Sequence, residues 1–213
     1  MPCSIHTYDR QKINKDAAAM PPIEQDLPSV CAMPHQKSSM SGRGTGRKDF
    51  TMYKEHEYYL KRCIEVSKHS REAGNTPFGA ILVDAEGNIL LEQENVEIST
   101  KKCTGHAETQ LVERASVLYE KDFLWNCTLY STAEPCAMCS GAIYWGNIGR
   151  VVYAMTEKEL LSLTGADEQN PTFDLPCREV FAKGQKAIEV IGPFPEIAPL
   201  AAEVHKGYWN NQK

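Results

Sequence analysis

The period of the apolar residues changes several times along the chain, and each change marks an element. Tyr59, Leu60, Cys63, Ile64 and Val66 recur at near-helical spacing, and Ala73-Gly74 ends the run. This predicts a first helix of roughly 20 residues, starting near Met52. Two apolar runs follow, Phe78 to Asp84 and Ile89 to Val96, around the turn Ala85-Glu86-Gly87-Asn88. They read as a β-hairpin. Ala107, Leu111, Val112, Ala115 and Leu118 form a helical stripe, so a helix is expected from about His106 to Tyr119. Cys127 to Thr132 reads as a buried strand. A third helix then opens at Pro135, a residue suited to a first helical turn, and runs through Gly141-Ala142-Ile143-Tyr144-Trp145. Arg150 to Ala154 has the Val-rich character of a strand buried on both faces. Short helical pieces and loops are expected next, then a strand over Ala187 to Ile191 and a last helix from about Glu196 to Trp209. Five strands alternating with helices define an α/β fold with no internal repeat.

Residues 1–50 carry no sustained period. Five prolines and the run Ser38-Ser39-Met40-Ser41-Gly42-Arg43-Gly44 offer too little apolar surface to offset the entropy of ordering, so a disordered leader is expected. A tail for a partner, an organelle signal, or sequence upstream of a start at Met40 or Met52 are the other readings. Residues 51–213 then form one domain, a length that supports an ordinary core.

Charge and cysteine usage narrow the function. The net charge of −5 argues against a broad basic nucleic-acid surface and favours a small-molecule substrate. No stretch reaches the ~20 apolar residues of a membrane helix. Polar residues near Met1 break any secretory core, so the eight cysteines are expected to be reduced, in the cytoplasm or nucleus.

In that setting a C-x-x-C pair reads as a metal site. Cys136 and Cys139 share one helix face, and His106-Ala107-Glu108 precedes them. One imidazole and two thiolates give a zinc ion three protein ligands and leave one position for water, the arrangement of catalytic zinc. Glu108 is better used to move protons than to ligate a metal already held by sulfur. Residues i and i+2 of a helix point about 200° apart, so His106 and Glu108 can serve one site only if His106 stands at the very start of its helix.

H-x-E followed by P-C-x-x-C is the signature of zinc deaminases, and the chain resembles the cytidine/nucleobase deaminase superfamily from about Tyr53 to Ile191. It is most similar to the branch of guanine deaminases, fungal-type cytosine deaminases and tRNA adenosine deaminases. Pro77-Phe78-Gly79-Ala80 and Gly141-Ala142-Ile143-Tyr144-Trp145 resemble guanine deaminases. The resemblance implies a three-layer αβα sandwich around a mixed five-stranded sheet, one zinc per chain and a homodimer. It further implies hydrolytic deamination of an amino-substituted nucleobase or nucleoside, a guanine-like purine in particular. Glu108 would be catalytic, and His106, Cys136 and Cys139 would hold zinc. Asn95, 11 residues before His106, would orient the base; the backbone N–H of Ala107, the ring of Phe78, Trp145 and Asp167 or Glu168 are further candidates for substrate contact. Gly79 would let backbone approach the substrate, and Tyr208-Trp209 would close over the pocket or cover the core.

Two departures accompany the match. Lys102-Cys103-Thr104-Gly105 replaces the Asp-Pro-Thr-Ala of the family beside the metal. Cys103 also opens a rival reading, in which Cys103, His106, Cys136 and Cys139 close a structural Cys₃His site. A tRNA adenosine deaminase or its accessory subunit is the alternative enzyme, and it requires a basic RNA face.

Overall fold

The computed structural model describes residues 47–165, 167 and 170–209. They belong to one of two compact units of the chain, Gly44–Lys213. The leader expected over residues 1–50 lies outside the described residues up to position 46. Its boundary falls inside the first helix, α1 (Arg47–Glu72), which starts earlier than near Met52, directly after Gly46. Nothing between Arg47 and Met52 breaks a helix.

The order of elements continues with β1 (Gly79–Val83), β2 (Ile89–Glu94), α2 (Glu97–Thr100), α3 (Ala107–Leu118), α4 (Lys121–Trp125), β3 (Thr128–Ala133), α5 (Ala137–Gly146), β4 (Arg150–Met155), α6 (Glu157–Thr164), α7 (Cys177–Ala182), β5 (Glu189–Ile191) and α8 (Ala198–His205). The five strands make one mixed sheet in the order β2-β1-β3-β4-β5. β1 pairs antiparallel with β2 and β3, while β3, β4 and β5 run parallel.

Strand side chains alternate between faces, and the sheet therefore feeds two cores. Ile81, Val83, Tyr130, Val152 and Ala154 pack with Leu60, Cys63 and Ile64 of α1 and Ala201 and Val204 of α8. Ala80, Leu82, Leu129, Val151 and Tyr153 pack on the other face with Leu111, Val112 and Ala115 of α3, Ile143 of α5 and Phe181 of α7. This is the αβα sandwich that the resemblance implied.

Gly79 has a different task from the one expected. A Cβ there would meet Cys63 O at 2.5 Å and Ser67 N at 2.7 Å, so the missing side chain lets β1 lie against the α1 backbone, not against a substrate. Four short helices, α2, α4, α6 and α7, fill stretches that carry no long periodicity in the sequence.

Candidate active site and metal centre

Two helix N-termini meet at one end of the sheet. His106 is the N-cap of α3, with extended backbone (φ −63°, ψ 144°). This resolves the i, i+2 difficulty: the imidazole leaves the chain before the helical turn begins, and Glu108 leaves from within it. Cys136 is likewise the N-cap of α5 (φ −62°, ψ 173°), and Cys139 follows one turn on. Pro135 thus precedes the cap instead of occupying the first turn, because Cys136 takes the extended cap conformation itself.

The Nδ1 atom of His106 lies 3.7 Å from Cys136 Sγ and 3.6 Å from Cys139 Sγ. Zinc bonds of about 2.3 Å to sulfur and about 2.0 Å to nitrogen at tetrahedral angles leave ligand atoms about 3.6 Å apart, so the three residues fit the metal. Among the described residues they form the one cluster of His, Cys, Asp and Glu ligand atoms lying within 4.8 Å of one another. Cys103 is exposed and stands outside it, which removes the closed Cys₃His reading.

The electrostatics point the same way. The Cys136 thiol is pushed down, first by the Cys139 thiol that donates to it, against the effect of burial, and then by His106. Cys139 is pushed up by the same pairing and by burial. One thiolate forms readily, and the second needs a cation in place of its proton. Thr109 Oγ1 donates to Cys139 Sγ at 3.2 Å, and Glu97 Oε2 lies 3.9 Å from the outer nitrogen of His106, so both ligands are held from behind.

Glu108 is only 6 % exposed. Its Oε1 accepts from Ser131 Oγ of β3 at 2.9 Å, and its Oε2 faces Cys139 Sγ at 3.5 Å. Burial first, then the charge of Cys136, raises its pKa above the ordinary carboxylate value, against His106 and Ser131. A carboxyl so placed is suited to take and return a proton.

A cavity with about 340 Å³ of free space, its open mouth included, lies over these groups. Phe78, Asn95, His106, Glu108, Cys136 and Glu157 line it, together with Asn170. Asn95 is 1 % exposed, and its Oδ1 accepts from the Glu97 N–H at 2.8 Å. That bond fixes the amide, so its NH₂ is left for the cavity. Phe78 stands edge-on to His205, with ring centroids 5.0 Å apart, and His205 stacks on the buried Trp209. The aromatic C-terminus therefore backs a wall of the cavity and does not itself line it.

The other candidates fall differently. Ala107 is buried as the first residue of α3, where its N–H is one of the helix's free terminal donors. Trp145 is 76 % exposed, on the face of α5 opposite Cys139, Ile143 and Gly146, and is no part of the cavity. Asp167 lies in the loop after α6, outside the lining residues. Glu168 lies outside the described residues.

Ser131, Thr109, Glu97, Glu134, Glu157 and Asn170 escaped sequence reasoning. Thr109, one turn after His106, and Glu134, two residues before Cys136, had a positional signal; the other four are brought in by other elements. Gly105 is explained by one of them. A Cβ on it would meet Glu97 Cα at 2.6 Å and Glu97 N at 2.7 Å. The α2 turn occupies the space an alanine needs. Glu134, which follows β3, accepts from the Glu157 N–H at 3.3 Å and the Cys177 N–H at 3.0 Å.

An αβα sandwich with a His-Cys-Cys metal cluster and a buried carboxyl beside it defines a zinc-dependent deaminase. The chain belongs to the cytidine and deoxycytidylate deaminase family: the profile of its zinc-binding region matches residues 53–155. A probable cytosine deaminase of Schizosaccharomyces pombe is 36% identical over 152 residues, 71% of this chain and 91% of that protein. Bacillus subtilis guanine deaminase is 38% identical over 100 residues, 46% of this chain and 64% of that one. A tRNA-specific adenosine deaminase of Aquifex aeolicus is 36% identical over 103 residues, 48% and 68%. The solved structure of NE0047 in complex with 2,6-diaminopurine shares the fold, with a TM-score of 0.61 at 20% identity, over 74% of this chain and 83% of that one.

Proposed function

We propose that the protein hydrolyses the exocyclic amine of a small free nucleobase and releases ammonia. One observation carries this reading: Glu108, Asn95 and two of the three metal ligands, His106 and Cys136, line a single small cavity, with Cys139 directly behind. The cavity is narrow, and a cytosine deaminase is matched along almost its whole length, which together favour a free base over a polymer.

Zinc, when bound, supplies an electrophile and lowers the pKa of its water towards about 7. The chain's own groups do the rest. Ser131 holds Oε1 of Glu108, which leaves Oε2, on the metal side, to accept the proton of the attacking water. The same oxygen returns that proton to the ring nitrogen, then takes the remaining proton of the added hydroxyl and passes it to the departing amine, leaving a carbonyl. Asn95 donates to an acceptor atom of the base and sets the amine-bearing carbon over the metal side. Phe78 offers an apolar wall. The thiolate ligands require a reducing compartment, and a homodimer is part of the reading.

Cytosine and guanine lead as substrates. The S. pombe relative, matched along almost its whole length, favours cytosine; Pro77-Phe78-Gly79-Ala80 and Gly141-Ala142-Ile143-Tyr144-Trp145 favour guanine. The test is ammonia release by zinc-loaded protein from guanine, cytosine, adenine and their nucleosides. Release from a free base should fall by about 10²–10⁴-fold in Glu108→Ala while zinc is retained. Retained turnover in that zinc-loaded variant, or activity on tRNA alone, would overturn the reading.

A further inference from the structure

The mechanism uses Glu108 and leaves a second buried carboxylate in the same cavity without a task. Glu157 is the first residue of α6. A capping box fixes that start: Thr156 Oγ1 accepts from the Glu159 N–H at 3.0 Å, and Glu159 Oε2 accepts from the Thr156 N–H at 2.7 Å. The first turn of a helix is an ordinary place for a glutamate, but an exposed one. Here Glu157 is 9 % exposed and lines the cavity beside Glu108 and Cys136. Its backbone N–H is bonded to Glu134, yet its carboxylate has no hydrogen bond and no ion pair among the described residues.

Burying an unpaired carboxylate is costly. Burial, then the charges of Cys136, Glu108 and Glu134, push its pKa up to about 8. It is not a fourth ligand, because it stands outside the cluster of mutually close ligand atoms. Nor does it cap a neighbouring helix. What remains is a hydrogen-bond acceptor aimed at whatever enters. Asn170 supplies the counterpart: its Nδ2 is buried, has no acceptor, and belongs to a residue lining the same cavity. With Asn95, the cavity thus presents one carboxyl group without a partner, its carbonyl oxygen able to accept, and two amide donors beside the catalytic group.

We propose that Glu157 is a specificity-determining residue that accepts a hydrogen bond from a ring N–H of the substrate, so that the site selects bases with a lactam edge, a ring N–H beside a ring C=O. The inference rests on the reading of a small free base given above. Guanine carries this edge at N1–H and C6=O, and cytosine at N1–H and C2=O. Adenine has no carbonyl to offer the amide donors. Methylation at N1 removes the donor from guanine and cytosine alike and leaves the amine in place.

The experiment uses the full zinc-loaded chain as wild type, Glu157→Ala and Glu157→Gln, with zinc content measured for each. Ammonia release is followed with guanine, cytosine, adenine and the two 1-methyl bases. Wild type should prefer the parent base over its 1-methyl derivative by roughly 100-fold or more in kcat/KM, as a site built around a substrate N–H does. Glu157→Ala should lower kcat/KM for the parent by about tenfold or more, chiefly through KM, and bring the ratio to within about threefold. Glu157→Gln, which keeps an acceptor oxygen, should fall between. An unchanged ratio in the zinc-replete variants would overturn the proposal, as would loss of zinc from both, or adenine turned over as well as guanine and cytosine. If wild type releases ammonia from no free base, the reading of function itself falls. Calorimetry with uracil and xanthine still judges Glu157 in that event: tighter binding to wild type than to Glu157→Gln supports the proposal, and equal affinity overturns it.

Discussion

The metal side of the cavity and the side proposed to read the base are built in opposite ways. On the metal side, His106, Glu108, Cys136 and Cys139 come from two short strings, each wrapped around the first turn of a helix. Their geometry follows from backbone conformation at two N-caps. On the other side, Phe78 precedes β1, Asn95 follows β2, Glu157 opens α6 and Asn170 stands in the loop beyond it. No two of these share an element. On the proposed reading, the difference teaches that the reaction is encoded locally and the choice of substrate by the fold. A change in one string removes the chemistry, whereas a change in any of several distant segments re-shapes the selection.

The sharpest way to break the contrast is to remove a ligand. Cys139→Ser should lose zinc and with it all measurable turnover, while Cys103→Ser should keep both; metal analysis of the purified proteins reads the result. Zinc lost from Cys103→Ser would show that the metal side reaches further along the chain than its two strings.

Gly105→Ala tests the joint between the sides. The new Cβ has the α2 backbone at Glu97 in its way, and α2 carries the Glu97 carboxylate behind His106. The expected cost is about 1–3 kcal/mol in a denaturant titration, typical of overpacking against atoms that cannot yield. A tenfold or greater loss of turnover should accompany it. A neutral result would mean that α2 moves aside freely.

An effect of similar size probes the support of the wall proposed to read the base. Burial first, then Arg71, lowers the pKa of His205 to about 4. The unfolded imidazole takes up a proton below about 6.5, and the folded one does not until about 4. This contribution to stability is therefore complete above pH 6.5 and is lost as pH falls towards 4, by up to about 3 kcal/mol. Glu157, raised to about 8, contributes with the opposite trend, its stabilising effect being lost as pH rises from about 4.5 to 8. The relevant quantity is thus the difference between wild type and His205→Gln, measured by denaturant midpoint at pH 4.5 and 7. A difference independent of pH would show that His205 titrates normally.

The contrast also explains what could be read without coordinates. The strands and long helices were legible because Ile81, Leu129, Val151 and their neighbours alternate or recur with the period of their element. The metal ligands and Glu108 were legible because their spacing is chemical. Trp145 misled because it sits next to inward-facing residues in sequence while α5 turns it outward. Glu157 and Asn170 gave no sign: a glutamate at a helix start looks solvated until the sheet end and α6 enclose it. Gly105 looked like a defect in a motif and is an accommodation of α2, a single turn too short to carry a pattern.

Glu134 has a wider consequence. One carboxylate ties the first residue of α6 and the first residue of α7 to the end of β3. Between α6 and α7 lies a loop whose two flanking helices are anchored at their starts, and lengthening such a loop adds little entropic cost. It can be treated as an exchangeable cassette. Loops of other lengths and compositions, grafted between Gly165 and Cys177, should leave α6, α7 and the metal site as they stand, which gives directed evolution a bounded region in which to search for new substrates.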